Sequence, residues 1–107
     1  MNKQDAVRMF DALASELRLD IVKLLVRFGD DGLVAGEIGS ELDIPPTNLS
    51  FHLKALAHSG LIYSEQEGRF QRYRANTTDL MGLVNYLMDE CCAQQSKEKT
   101  GLCEAPR

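Results

Sequence analysis

The sequence has no tryptophan, only three prolines, two histidines and three cysteines, and no apolar run near the roughly 18 residues a membrane span needs. A transmembrane role is therefore not expected. No basic stretch followed by an apolar segment opens the chain, so nothing marks it for export and a cytoplasmic setting is expected. An odd cysteine count in such a setting argues against a disulfide framework and for reduced thiols with a chemical task. Positive charge is also scarce. The formal net charge is −4, which counts against nucleic-acid binding because phosphate is neutralised by lysine and arginine. Between positions 45 and 75, however, Lys54, Arg69, Arg72 and Arg74 outnumber Glu65 and Glu67. The acidic excess lies mostly in the N-terminal half and the tail, where it aids solubility and holds down non-specific DNA affinity. There is no internal repeat or low-complexity segment. At 107 residues the chain makes one domain, of a size to which dimerisation adds considerably.

Residues 43–62 carry the clearest pattern. Pro45-Pro46 fits a helix start, because a proline in the first turn gives up only an N–H that would be unpaired anyway. At about 100° per residue, Leu49, Leu53 and Leu56 form one stripe. Thr47, Phe51, Lys54 and His58 fall opposite, with Asn48 and Ser50 beside them. One face packs and the other is available to read DNA. Ser59-Gly60 ends the helix, glycine suiting the left-handed conformation after a C-cap.

The rest of the chain frames that helix. Asn2 or Asp5 can cap a first helix with Val7, Phe10, Leu13 and Ala14 at helical spacing. Ser15 is the expected N-cap of a second, in which Leu17, Ile21, Leu24, Leu25 and Phe28 recur on one face and Glu16 suits the first-turn dipole. Gly29-Asp30-Asp31-Gly32 is turn chemistry, and Leu33-Val34 a stub of strand. Ala35 to Leu42 predicts a third helix whose Gly36 and Gly39 each cost roughly 1 kcal/mol against alanine, so packing must hold it. A helix, a short turn and the 46–59 helix make a helix-turn-helix. Leu61 to Glu65 and Phe70 to Ala75 alternate around the turn 66–69 and predict a β-hairpin wing. Arg72 and Arg74 share one strand face and, with Arg69 at the tip, suit phosphate or minor-groove contact.

A last helix begins after Asn76, with a wide apolar stripe of Leu80, Leu83, Val84, Leu87, Met88 and Cys91. The first and last helices supply more apolar surface than a three-helix head requires. They are expected to pair across a two-fold axis and set two recognition helices on successive major-groove faces. The expected architecture is mainly α with a β-hairpin wing, a winged helix-turn-helix and dimerisation domain over 1–93, followed by a polar tail, 94–107, carrying Cys103.

Phe10 to Ile21 (Phe-Asp-Ala-Leu-Ala-Ser-Glu-Leu-Arg-Leu-Asp-Ile) resembles the opening signature of the ArsR/SmtB metal-sensing repressors. Leu49 to Leu56, Ser59-Gly60-Leu61-Ile62 and Gly68-Arg69 with Tyr73 continue the resemblance in order and spacing, over roughly residues 7 to 92. It implies a homodimeric repressor that leaves its DNA operator when an effector binds. The departures narrow the effector. Val34 and Gly36 stand where the best-known arsenic sensors have Cys-x-Cys, both histidines, His52 and His58, lie in the recognition helix rather than the last helix as zinc sensors require, and no cysteine lies near the N-terminus as in cadmium and lead sensors. Cys91-Cys92 and Cys103 instead resemble the relocated arsenite site of some members.

The ligand chemistry agrees. Three thiolates without histidine or carboxylate favour a soft trivalent ion, arsenite first and antimonite second, over zinc, magnesium or calcium. Adjacent cysteines diverge by about 100° on a regular helix, so Cys91 and Cys92 converge only where the helix frays. Simpler roles stand beside these. Cys91 lies on the apolar stripe and could fill an interface. Thr47 and Asn48 could cap their helix instead of touching bases. His52 borders the buried face and suits a hydrogen-bonded packing role. The wing arginines could be a solvated strand face. Two further functions remain open: a redox switch built on the vicinal cysteines, and a thiol enzyme such as an arsenate reductase, for which no base or anion-binding loop flanks Cys91.

Overall fold

The computed structural model describes residues 1–95, so Cys103 and most of the tail lie outside the described residues. Five helices and a small sheet follow in order: α1 Lys3–Leu13, α2 Glu16–Phe28, a 3₁₀ turn Gly29–Asp31, β1 Leu33–Val34, α3 Ala35–Leu42, α4 Pro46–Ser59, β2 Ile62–Glu67, β3 Phe70–Ala75 and α5 Thr77–Met88. The sheet is antiparallel in the order β1-β3-β2, with Leu33 opposite Tyr73 and Ile62 opposite Ala75. This is the expected winged helix-turn-helix. None of the described helices is long and apolar enough to cross a membrane.

Local chemistry accounts for the helix boundaries. Asn2 and Ser15 cap α1 and α2 through side-chain oxygens that accept from the amides of Asp5 and Arg18. Glu37 reaches back from the first turn of α3 to accept the Val34 amide at 3.0 Å. Pro46 opens α4, and Gly60, at φ 89°, closes it in the left-handed conformation. Gly39 is also accounted for. A Cβ there would lie 3.1 Å from the Ile44 carbonyl oxygen, so the glycine lets the turn and α4 close on α3. Nothing lies within 4 Å of a Cβ at Gly36, and the structure does not explain that residue.

One core serves all the elements. Ile21, Leu24 and Leu25 of α2, Ile38 of α3, Leu53 and Leu56 of α4, and Leu61 and Ile62 at the start of the wing are its largest fully buried side chains. The predicted stripes of α2 and α4 hold with two changes, since Val22 joins the core while Phe28 is exposed.

The first helix turns the other way. Ala6, Met9 and Ala12 are buried, whereas Val7 is 60% exposed, Phe10 is also exposed, and Ala14 is the C-cap residue. In α5 only Leu83 is buried and Leu80 half-buried, while Met81, Val84, Leu87 and Met88 face solvent. α1 and α5 pack on each other, so their exposed apolar residues form neighbouring surfaces. The hairpin also differs from expectation. Leu61 is buried ahead of the strand, β2 runs on to Glu67, and the turn shrinks to Gly68-Arg69. Positive φ at Gly68 (61°) and not at Arg69 is the pattern of a type II′ hairpin turn.

Candidate nucleic-acid interface and thiol site

The outward face of α4 carries Thr47, Asn48, Ser50, Phe51, Lys54 and His58, all exposed, on a helix anchored beneath by Leu49, Leu53 and Leu56. This arrangement offers DNA a rigid helix with polar, cationic and aromatic groups on one side. His52 is half-buried and accepts a hydrogen bond at Nδ1 from Arg18 Nε, 3.1 Å away, which agrees with a packing role. The Arg18 guanidinium also lies 5.9 Å from the centroid of the Phe51 ring. Sequence reasoning misses Arg18, and no local signal could place it there, because 34 residues separate it from its partner.

The wing arginines divide. Arg69 is exposed at the tip, with no hydrogen bond or ion pair identified to another of the described residues. Arg72 donates to Glu67 at 2.9 Å and to the carbonyl of Asp31 at 3.1 Å. Arg74 donates to the carbonyl of Asp30 at 2.7 Å and pairs with Glu65. Its side chain is only 17% exposed. Both arginines therefore fasten the 29–32 loop to the wing. The Glu67 hydrogen bond raises the pKa of Arg72 against the opposing effect of desolvation, so this group stays charged throughout the accessible pH range.

Asn76 has a wider role than capping. Its Oδ1 accepts the Asp79 amide, and its Nδ2 donates to the carbonyl of Gly60, the C-cap of α4, at 3.1 Å. Its own amide donates to the Leu61 carbonyl at 2.9 Å. The end of the recognition helix and the start of α5 are thus joined through one side chain.

At its other end α5 stops at Met88, and turns through 89–94 carry the chain on. Cys91 is consequently exposed in a turn, not on the apolar stripe of the helix. Cys92 follows with φ 64°, in the left-handed region. That backbone reversal brings the two sulfurs to 3.4 Å, whereas neighbouring positions on a continuing helix would point apart. No set of three metal-binding residues occurs among the described residues. The fold thus brings Cys91 and Cys92 together.

Comparison with known proteins gives a consistent result. Residues 13–65 match a family described as a helix-turn-helix domain. The transcriptional activator HlyU of Vibrio cholerae is 31% identical over 80% of this chain and 77% of its own length. Its reduced form has been solved and superposes with a TM-score of 0.66 at 31% identity, over 85% of this chain and 93% of that one. The arsenical resistance operon repressor of Bacillus subtilis is 31% identical over 88% of this chain and 85% of its own. A homodimeric winged helix-turn-helix DNA-binding domain from Mycobacterium bovis, a possible ArsR-family regulator, gives a TM-score of 0.66 at 29% identity, covering 90% of this chain and 89% of that one.

Proposed function

Because the chain belongs to the ArsR/SmtB family of winged helix-turn-helix transcriptional regulators, we propose that it is a dimeric repressor that leaves its operator when reduced Cys91, Cys92 and Cys103 take arsenite or antimonite. The observation that carries this reading is the 3.4 Å approach of Cys91 Sγ to Cys92 Sγ beyond the end of α5. A metal–thiolate bond is roughly 2.3 Å, so one ion can reach both sulfurs. Arsenous acid exchanges three hydroxyls for three thiolates, each thiol proton leaving with a hydroxyl as water. The similarity to an arsenical resistance repressor supports the choice of ion. The relatives are named as regulators of transcription, which leaves the thiol-enzyme reading without support.

Dimerisation follows from the outward apolar residues of α1 and α5, which leave a large apolar surface uncovered on the protomer. The Mycobacterium bovis homodimer supports it. Tying the tail to the end of α5 biases how that helix packs across the two-fold axis. Asn76 then passes a shift of α5 to the end of α4 through its bond to Gly60. Two recognition helices held at the wrong separation no longer fit both half-sites.

On DNA, Thr47, Asn48, Ser50, Phe51 and Lys54 occupy the major-groove side, and Arg69 meets the backbone from the wing tip. Arg72 and Arg74 act at the same wing chiefly by holding it in place. Arg69→Ala is expected to weaken binding about equally for every duplex and to flatten log affinity against log salt by roughly 1 for each phosphate left unneutralised. Salt titrations of both proteins on one operator measure that slope. An unchanged slope removes Arg69 from the interface.

The reading is tested by adding arsenite to the operator complex of the reduced protein, for the wild type and for Cys91→Ser, Cys92→Ser and Cys103→Ser. Wild type should release DNA, and each variant should bind DNA normally but fail to let go. A wild type that stays bound through saturating arsenite ends the assignment. A normal response from Cys103→Ser alone reduces the site to two cysteines.

A second reading makes the same thiols a redox switch. The approach of the Cys91 and Cys92 sulfurs to 3.4 Å favours it as well. Peroxide without metalloid should then release the operator, and a reductant should restore binding.

A further inference from the structure

No large hydrophobic side chain among the described residues is more exposed than Phe51, at 65%. It stands apart from the α1 and α5 surfaces, amid the polar side chains of the α4 face. Its ring is also held in place. The Arg18 guanidinium is 5.9 Å from its centroid, and the His52 ring meets it edge-on at 5.6 Å and 70°. Arg18 and His52 are joined in turn by their own 3.1 Å hydrogen bond. A ring held in this way by a residue of another helix loses little freedom on meeting a partner.

In the major groove, base edges present hydrogen-bond donors and acceptors and a single apolar feature, the 5-methyl group of thymine. A phenyl ring offers base edges no donor and only a weak π acceptor, so over a cytosine or purine edge it would strip water from polar groups with little in return. We propose that Phe51 is a specificity-determining residue that reads a thymine methyl in each operator half-site, with Arg18 and His52 holding the ring at the required angle. This rests on the DNA-binding reading above and adds to it the identity of one base.

The test begins with selection of duplexes from a random pool by the wild-type protein. Each thymine of the selected site is then replaced in turn by deoxyuridine, which removes the methyl group and keeps every hydrogen-bonding atom. One thymine per half-site should stand out. Its replacement should weaken wild-type binding roughly fourfold in one half-site and about fifteenfold in both, the effect of one methyl group per site. Phe51→Ala should bind the thymine and deoxyuridine duplexes equally, and Phe51→Leu should keep part of the difference. The side chain is exposed and its ring contacts contribute about 1 kcal/mol or less, so both variants should stay folded and melt within a few degrees of wild type. Wild-type insensitivity to deoxyuridine at every position, or an undiminished difference in Phe51→Ala, overturns the proposal while leaving DNA binding intact. If no duplex is enriched at all, the operator-binding reading falls and this proposal with it.

Discussion

Leu87→Asp is expected to turn the dimer into a monomer and to weaken operator binding by roughly a hundredfold or more. Leu87 is 64% exposed on α5, with Val84 and Met88 beside it on the same outward face. In the protomer the substitution places a carboxylate in water, and its position in the last turn of α5 costs only about 1 kcal/mol or less, so the fold should persist. In the dimer it buries that carboxylate among apolar groups without a partner, at a cost of several kcal/mol. The two-fold axis introduces the charge twice. Each 1.4 kcal/mol is a factor of about ten in the association constant, and an operator with two half-sites loses the benefit of binding both at once. Light scattering coupled to size exclusion reads the assembly, and titration of a labelled operator reads the affinity. A dimer of unchanged affinity would place the interface elsewhere.

Gly32→Ala should lower stability by about 3 kcal/mol and the thermal midpoint by roughly 10–20 °C. Gly32 sits at φ 59° and ψ −172°, a backbone region essentially closed to other residues. A Cβ there would also lie 2.5 Å from the Tyr73 carbonyl oxygen and 2.8 Å from Arg74 Cγ. Neither neighbour is free to withdraw. Tyr73 is paired across both its strand neighbours, and Arg74 is bound to the Asp30 carbonyl and to Glu65. The 29–32 loop must therefore lift away from β3 and release the carbonyls that Arg72 and Arg74 hold. Gly68→Ala is the matched control. It shares a positive φ, but nothing lies within 4 Å of its Cβ position, so only the conformational penalty of about 1–2 kcal/mol applies. Thermal melts of both variants separate the two contributions. Equal shifts would mean that the close approach to β3 contributes nothing.

Both predictions depend on features of unequal visibility in the sequence. The boundaries of α3 and α4 are legible because Glu37, Pro46 and Gly60 are local signals whose effect does not depend on the rest of the fold. The face of α1 is not. Periodicity finds an apolar stripe but cannot say whether it meets the core or a second subunit, and this helix has both: Ala6, Met9 and Ala12 inside, Val7 and Phe10 outside. The end of α5 escapes sequence reasoning because no glycine or proline marks it. Asp89 and Glu90 place negative charge at the negative end of the helix dipole, an unfavourable arrangement consistent with a stop at Met88. That early end is what frees Cys91 and Cys92 to converge. The hydrogen bonds of Arg72 and Arg74 to the loop carbonyls could not be anticipated, since they span 40 to 44 residues and the acceptors are backbone groups without a sequence signature.

Coupling between the thiol site and the operator is the central claim, and it has a thermodynamic signature. If arsenite weakens operator binding by some factor, the operator must weaken arsenite binding by the same factor, typically about 5- to 150-fold. The decisive measurement is therefore the arsenite affinity of the reduced protein, free and saturated with operator, under one set of conditions. Coupling predicts weaker binding to the complex, by the factor found for operator release. Equal affinity in the two states would contradict it, however tightly the thiols hold the ion.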